Sequence, residues 1–366
     1  MSFTLIQIVF LIALCTSFAI QLLFQIFHLL RFKKIIRKEG TATFEPVSII
    51  ICSKNNALEL KDNLTSFLNQ SYPDFEVIVV DNGCTDNTEE VVKLLQAQYS
   101  NLRLTKIPID EKFRHNKKLA QTIGIKAARN NKLLFSNPNC KPTNDLWLKN
   151  MMKSWTKGVL LTYSNFENKK GFWFNMIKYH LLEQQLLFAS FASIKKAFAG
   201  DGNNMGYLKS DFFINKGFAK HSYFEAGYDH LMIYQLAKRS GISISLSPST
   251  KMISHSKSPY KVWCKKNANY YKSLSSVSKK IKYLIYAENT NKIILLSLLV
   301  YMCMSTQFYI FIGLIILITL AIHIYKYKIV TRHLREENLF LSSYVYGVFM
   351  PFIRLYLFFK NLIFSI

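Results

Sequence analysis

The spacing of hydrophobic positions changes twice along this chain, and each change marks a different kind of structure. Residues 3–30 contain no Asp, Glu, Lys or Arg. At about 1.5 Å of rise per residue such a run crosses a hydrocarbon core of roughly 30 Å, which predicts a transmembrane helix in residues 1–31. After Glu45 and Pro46 the runs become short. Residues 47–52 are β-branched and strand-like, and Leu60, Leu64, Phe67 and Leu68 then recur at helical spacing until Asn69 to Pro73 stop them. Residues 75–80 form a second strand, Val92, Leu95 and Tyr99 mark a helix, and 102–106 a third strand. A helix over 117–129 and a strand over 132–136 complete the alternation. Strands alternating with helices predict an α/β, Rossmann-like, mainly parallel sheet with helices on both faces, here within residues 46–275.

The third pattern is a second uncharged run, residues 293–325, too long for one ordinary span. It suits two short spans turning near Ser305, Thr306 and Gln307, with one long tilted helix as the alternative. Residues 339–366 are apolar and aromatic but carry Pro351, Arg354 and Lys360, so the segment either spans or lies in the interface.

Charge orients these segments. The 366 residues include 47 Lys and Arg against 22 Asp and Glu, a net charge of +25, with half of all residues hydrophobic. Disorder is excluded by that composition. Arg31, Lys33, Lys34, Arg37 and Lys38 follow the first apolar run instead of preceding it, which favours a signal anchor over a cleaved signal peptide. Further basic clusters flank the second run on both sides, at Lys279 to Lys292 and Lys326 to Arg335. The positive-inside rule then predicts an external N-terminus, a membrane hairpin and a multi-pass protein of the cytoplasmic membrane whose large domain faces the cytoplasm. Membrane lipids with anionic heads account for much of the basic excess. No nucleic-acid-binding motif accompanies it. The six cysteines form no CxxC pair, which argues against a zinc site or a disulfide framework.

In parallel sheets, ligands sit beyond the carboxyl ends of the strands. The polar loops there are residues 53–56, 81–86 and 136–140. No GxGxxG follows the first strand and there is no Walker A loop, so neither a dinucleotide nor a P-loop nucleotide site is indicated.

Several segments, in order and spacing, resemble the family 2 glycosyltransferases. They are Pro46-Val47-Ser48-Ile49-Ile50-Ile51, Val79-Val80-Asp81-Asn82-Gly83-Cys84-Thr85-Asp86, Asn116-Lys117-Lys118-Leu119-Ala120 and the segment from Leu134 to Pro142. Further on, Gly200-Asp201-Gly202-Asn203-Asn204-Met205-Gly206-Tyr207 is similar to the family's acceptor-side GGNMAY segment, and Gly227-Tyr228-Asp229-His230-Leu231 to its GEDxDL segment. Trp263-Cys264-Lys265-Lys266 stands where a WxxQ element would lead into the QxxRW-like signature.

The resemblance implies a GT-A fold and transfer, with inversion, from a nucleotide-sugar donor to a lipid-linked or other envelope glycan acceptor. It assigns Asp229 as catalytic base, since an acceptor hydroxyl needs a carboxylate to take its proton. It also implies donor binding by Asp81, Asn82, Lys117, Asn137, Asn139 and Lys266. Read without it, Asp81 is a turn residue and Asp229 a helix-terminal carboxylate.

The chain departs from the family where the family holds Mg2+ or Mn2+. Asn137-Pro138-Asn139 occupies the DxD position, leaving Asn139 as a weak metal ligand without charge. Asn82, Tyr228, Lys266 and Asn269 stand at other eroded positions, and Lys117, Lys118, Lys265 and Lys266 are the cations on offer instead. Two functions therefore stand side by side: a membrane-bound glycosyltransferase, and a catalytically reduced relative acting as a partner or scaffold.

Overall fold

The structure is a computed structural model that describes residues 5–37, 40, 44–109, 116–219, 227–304, 308–336 and 338–363. The predicted alternation is present as β1 (Val47–Ser53), α2 (Ala57–Leu68), β2 (Phe75–Asp81), α3 (Thr88–Gln96), β3 (Leu102–Lys106), α4 (Lys117–Ala127) and β4 (Lys132–Ser136), preceded by α1 (Leu5–Ile36). Three further strands, β6 (Val159–Thr162), β8 (Met205–Leu208) and β9 (Ile242–Ser245), extend the sheet to the order β3-β2-β1-β4-β8-β6-β9. All neighbours pair in parallel except β8, which runs against both β4 and β6.

Alternating side chains of the central strands feed two cores, one on each face of the sheet. Ile49, Ile51, Val77 and Val79 meet α2 through Leu60, Leu64 and Phe67. Ile50, Ile78 and Val80 meet Ala120 and Ile125 of α4 and the aromatic residues Phe188 and Phe198. Both faces are buried, which is why β1 and β2 read as nearly continuous apolar runs.

A second sheet, of three strands, is what shapes the site. In it β10 (Met252–Ser254) lies between β5 (Cys140–Pro142) and β7 (Ser164–Phe166). It seats the loop after β4 beside the end of β10, with His255 N–H donating to Asn139 O at 2.8 Å.

The remaining elements are α5 (Trp147–Ser154), α6 (Phe172–Ser193), α7 (Lys209–Ile214), α8 (Tyr228–Ser240), α9 (Pro259–Leu274), α10 (Lys279–Cys303), α11 (Tyr309–Leu334) and α12 (Ser342–Ile363). The uncharged run of residues 293–325 is divided between α10 and α11, and Ser305, Thr306 and Gln307 lie outside the described residues. Among the described residues, three helices are long and apolar enough to cross a membrane: Leu5–Ile36, Tyr309–Leu334 and Ser342–Asn361.

Two buried carboxylates fasten α11 and α12 to the α/β domain. Glu183 of α6 accepts from Tyr327 of α11 at 2.8 Å and from Arg354 of α12 at 2.9 Å. Glu336, just past α11, meets Lys251 at 2.7 Å, Lys178 at 3.0 Å and the Tyr163 hydroxyl at 2.9 Å. A buried carboxylate is stable only with such partners.

Candidate active site

A cavity of about 670 Å³ opens beyond the carboxyl ends of β1 and β4, bounded opposite by the loop at residues 200–203, the start of α8 and one face of α9. The chain delivers its key side chains here by local rules. Asn116 caps α4, its side chain accepting from Leu119 N–H at 2.9 Å. Lys117 and Gln121 lie one turn apart on this helix and so share a face. Lys117 Nζ donates to Asn137 Oδ1 at 2.8 Å, and Gln121 Nε2 donates to Asp229 Oδ1 at 3.3 Å. One helix face thus touches both the loop after β4 and the start of α8.

Asp229 reaches the cavity because Gly227 turns the chain with a left-handed φ of +79°, where a Cβ would also stand 2.5 Å from Asn269 O. The 200–203 loop closes on the same carboxylate. A Cβ on Gly202 would fall 2.2 Å from Asp229 Oδ2, so only glycine lets the backbone pass. Burial pushes the Cys52 thiol, which feels both Lys117 and Asp229, up to about 12, and excludes it as a nucleophile.

Asp201, in that loop, is gripped by Lys266 Nζ at 2.9 and 3.1 Å and accepts from the Ser164 hydroxyl. Burial alone would raise its pKa, but the Lys266 ammonium and the Ser164 hydrogen bond outweigh it and hold the carboxyl below its ordinary value. Its neighbour His230 accepts from Gly200 N–H at 3.3 Å, and burial lowers the ring's pKa, so the imidazole is neutral.

Of the residues singled out in the sequence, Asp229, Lys117, Asn137, Asn139 and Lys266 all line this cavity. Asp81 and Asn82 are not among its lining residues. Asp81 is buried at the end of β2 and accepts from Cys84 N–H at 2.7 Å, the turn-forming arrangement. Asn82 Oδ1 is buried without a hydrogen-bond partner among the described residues. Three residues that matter here were not singled out. Gln121 is signalled only by its i+4 spacing from Lys117, Asp201 by its place between two glycines, and His255 by nothing local, since β10 brings it in.

A divalent metal does not fit the Asn137-Pro138-Asn139 loop. The Asn137 carbonyl already accepts from an ammonium, and the Asn139 amide donates to Ser254 Oγ at 3.1 Å and to His255 O at 2.7 Å. Among the described residues, no three His, Cys, Asp or Glu side chains gather to hold an ion. A hard dication needs oxygen ligands, preferably charged, and here a positive side chain stands in the first ligand's place.

Residues 48–219 match the family described as Glycosyl transferase family 2. The matched stretch, just under half of this chain, is similar to a family 2 glycosyltransferase domain. It is 32% identical over 111 residues to the glycosyltransferase AglE of Haloferax volcanii, a stretch covering 30% of this chain and 35% of that protein. A 52-residue stretch is 40% identical to an uncharacterized glycosyltransferase of Nostoc sp., covering 14% of this chain and 16% of the relative. The match thus spans about a third or less of the curated relatives' lengths. Among solved structures, the mannosyltransferase PcManGT from Pyrobaculum calidifontis, in complex with GDP-Man and Mn2+, superposes over 92% of this chain and 97% of its own, with a TM-score of 0.58 and 18% identity. That likeness shows the fold, which is GT-A, with the mostly parallel sheet and the apolar helices at both ends that the sequence predicts.

Proposed function

We propose that this protein transfers a sugar from a nucleotide-sugar donor to an acceptor hydroxyl at the cytoplasmic face of a membrane, with inversion. One observation carries the reading: a single face of α4 holds Asp229 through Gln121 and the loop after β4 through Lys117, so an acceptor-activating carboxylate and a phosphate-facing cation border one cavity. Asp229 takes the acceptor proton as the new bond forms at the anomeric carbon. The bond from that carbon to the diphosphate breaks, and the nucleoside diphosphate leaves with the electron pair. Ligands of parallel α/β sheets sit beyond the strand ends, where this cavity lies, and the mannosyltransferase of the same fold was solved in complex with GDP-Man, which supports a donor there.

The membrane reading is supported by the way the helices meet the domain. The carboxyl ends of α1 and α11 both bury into it, through Phe32 and Ile35 and through Val330 and Leu334. The start of α10 does so too, with Ser278 N–H donating to Tyr234 at 3.2 Å. All three ends therefore lie on the domain's side, as the basic clusters require. Helix α12 runs along the domain, with Tyr346 donating to Phe172 O at 2.9 Å and Tyr271 donating to Arg354 O at 3.1 Å, which favours an interfacial helix. The acceptor on this reading is lipid-linked or another envelope glycan.

The filled hydrogen bonds of Asn137 and Asn139 favour a second reading, a catalytically reduced relative that binds a nucleotide and serves as a partner. One assay separates the two. Full-length protein in lipid nanodiscs is given a panel of nucleotide sugars and a membrane lipid extract, and sugar incorporation is followed. Turnover that Asp229→Asn abolishes supports the transferase. Nucleotide binding without turnover supports the second reading, and turnover untouched by Asp229→Asn overturns the assignment of the base.

A further inference from the structure

We infer that Lys117 takes the place of the divalent cation, so that this site holds a nucleoside diphosphate through an ammonium group without metal. The inference rests on the nucleotide-sugar reading and deepens it. In the family pattern that the chain resembles, carboxylates stand where Asn137 and Asn139 stand here, and those would either bind a dication or neutralise a neighbouring lysine. With carboxamides instead, the sign of the loop is reversed. Lys117 Nζ rests on the neutral Asn137 Oδ1 at 2.8 Å, and among the described residues it makes no ion pair within 4.0 Å. Its charge is only half-buried, faces the 670 Å³ cavity and is not spent on a carboxylate. Of the other lysines lining this cavity, Lys257, Lys265 and Lys266, the last is spent, because Asp201 holds it with two contacts near 3 Å.

The rest of the geometry fits an anion. Asn137 is fixed from its other end by donating to Asn203 Oδ1, so its carbonyl is aimed at Lys117 and anchors the flexible side chain on one hydrogen bond. An ammonium has three donors, which leaves two for phosphate oxygens. Lys117 is also the first residue of an 11-residue helix whose amino end carries partial positive charge, the right sign for a diphosphate. An Mn2+ ion in the same place would sit against an ammonium with two neutral oxygens to hold it, and repulsion wins. As negative charge develops on the departing diphosphate, a fixed ammonium stabilises it without drawing on a metal.

Binding of free nucleoside diphosphates tests this independently of turnover. Calorimetry on the full-length protein in nanodiscs would compare UDP, GDP, ADP, CDP and dTDP with their nucleosides, in EDTA and again in 1 mM MnCl2. The expected result is a diphosphate that binds in EDTA with an affinity within about threefold of that in Mn2+. Lys117→Met should weaken it about ten- to a hundredfold, Lys117→Arg should restore most of the loss, and the matching nucleoside should be unaffected by either change. A diphosphate that binds only when Mn2+ is added overturns the inference, as does one whose affinity survives Lys117→Met. If no diphosphate binds the unaltered protein under either condition, the nucleotide-sugar reading itself fails, which is a separate result from metal-dependent binding. The variant Asn137→Asp with Asn139→Asp supplies the converse: Mn2+ dependence should appear there and metal-free affinity should fall, and unchanged metal-free affinity counts against the inference.

Discussion

Gln121 Nε2 donates to Asp229 Oδ1 at 3.3 Å, joining two residues 108 positions apart in the chain. The bond orients the carboxylate from the side of the sheet, while the backbone at Gly202 confines it from the other side. Gln121→Leu should therefore keep the carboxylate but lose its aim. Because a general base contributes about 10²–10⁴-fold, transfer should fall by about tenfold or more in this variant and close to completely in Asp229→Asn. Initial rates at saturating donor check both, with equal rates for Gln121→Leu and the unaltered protein counting against the positioning role.

Gly202→Ala tests the same wall from the backbone side. A Cβ 2.2 Å from Asp229 Oδ2 forces either the loop or the carboxylate to move. Turnover should drop by roughly a hundredfold, the cost of misplacing a reacting group by about 1 Å, while nucleotide affinity stays within a few-fold. Loss of nucleotide affinity alone would place Gly202 in the donor site instead.

Glu336→Gln should loosen the carboxyl end of α11 from the domain. Its carboxylate is fully buried between Lys178 and Lys251, and removing its charge leaves two ammonium groups facing each other. Breaking one partner of a buried ion pair costs about 3–5 kcal/mol. Thermal unfolding of the full-length protein should show a lower midpoint, and protease should reach the α11 to α12 connection sooner.

Acid should loosen the strand end at Glu76. This buried carboxylate accepts from Ser48 Oγ at 2.7 Å, from Arg129 N–H at 2.6 Å and from Arg103 at 2.8 Å. Burial raises its pKa, but the Arg103 and backbone hydrogen bonds lower it by more, so the carboxyl is held below its ordinary value. A depressed pKa in the folded state adds stability that is present above the unfolded value of about 4.3 and is lost as pH falls through the folded one. Glu76→Gln should flatten that acid limb and cost about 1–3 kcal/mol near neutral pH, measured by denaturant unfolding at several pH values. An acid limb of unchanged steepness in the variant would show that another carboxylate controls it.

Topology is open to labelling in a background without the native cysteines. Met304→Cys, at the exposed end of α10, should react with an impermeant reagent applied from outside. Lys328→Cys, on the exposed side of α11 near its domain-facing end, should react only after the membrane is opened. The opposite pattern would reverse the orientation.

The sequence by itself determined the order of strands and helices through β4, because buried parallel strands need unbroken apolar runs and amphipathic helices need their own spacing. It determined the basic flanks and the apolar helices for the same reason: hydrophobic length and charge are local properties of the chain. The strands β6, β8 and β9 were not legible, since each is four residues long and earns its place from neighbours rather than from a pattern of its own. The site divides along the same line. Asp229 and Lys117 stood in recognisable segments, but only the tertiary structure decided that Asp201 spends the charge of Lys266, that Asp81 caps its own turn, and that Lys117 rests on Asn137. Each of these depends on side chains brought together from distant or differently folded stretches, and a charge is free or neutralised according to what folding places beside it.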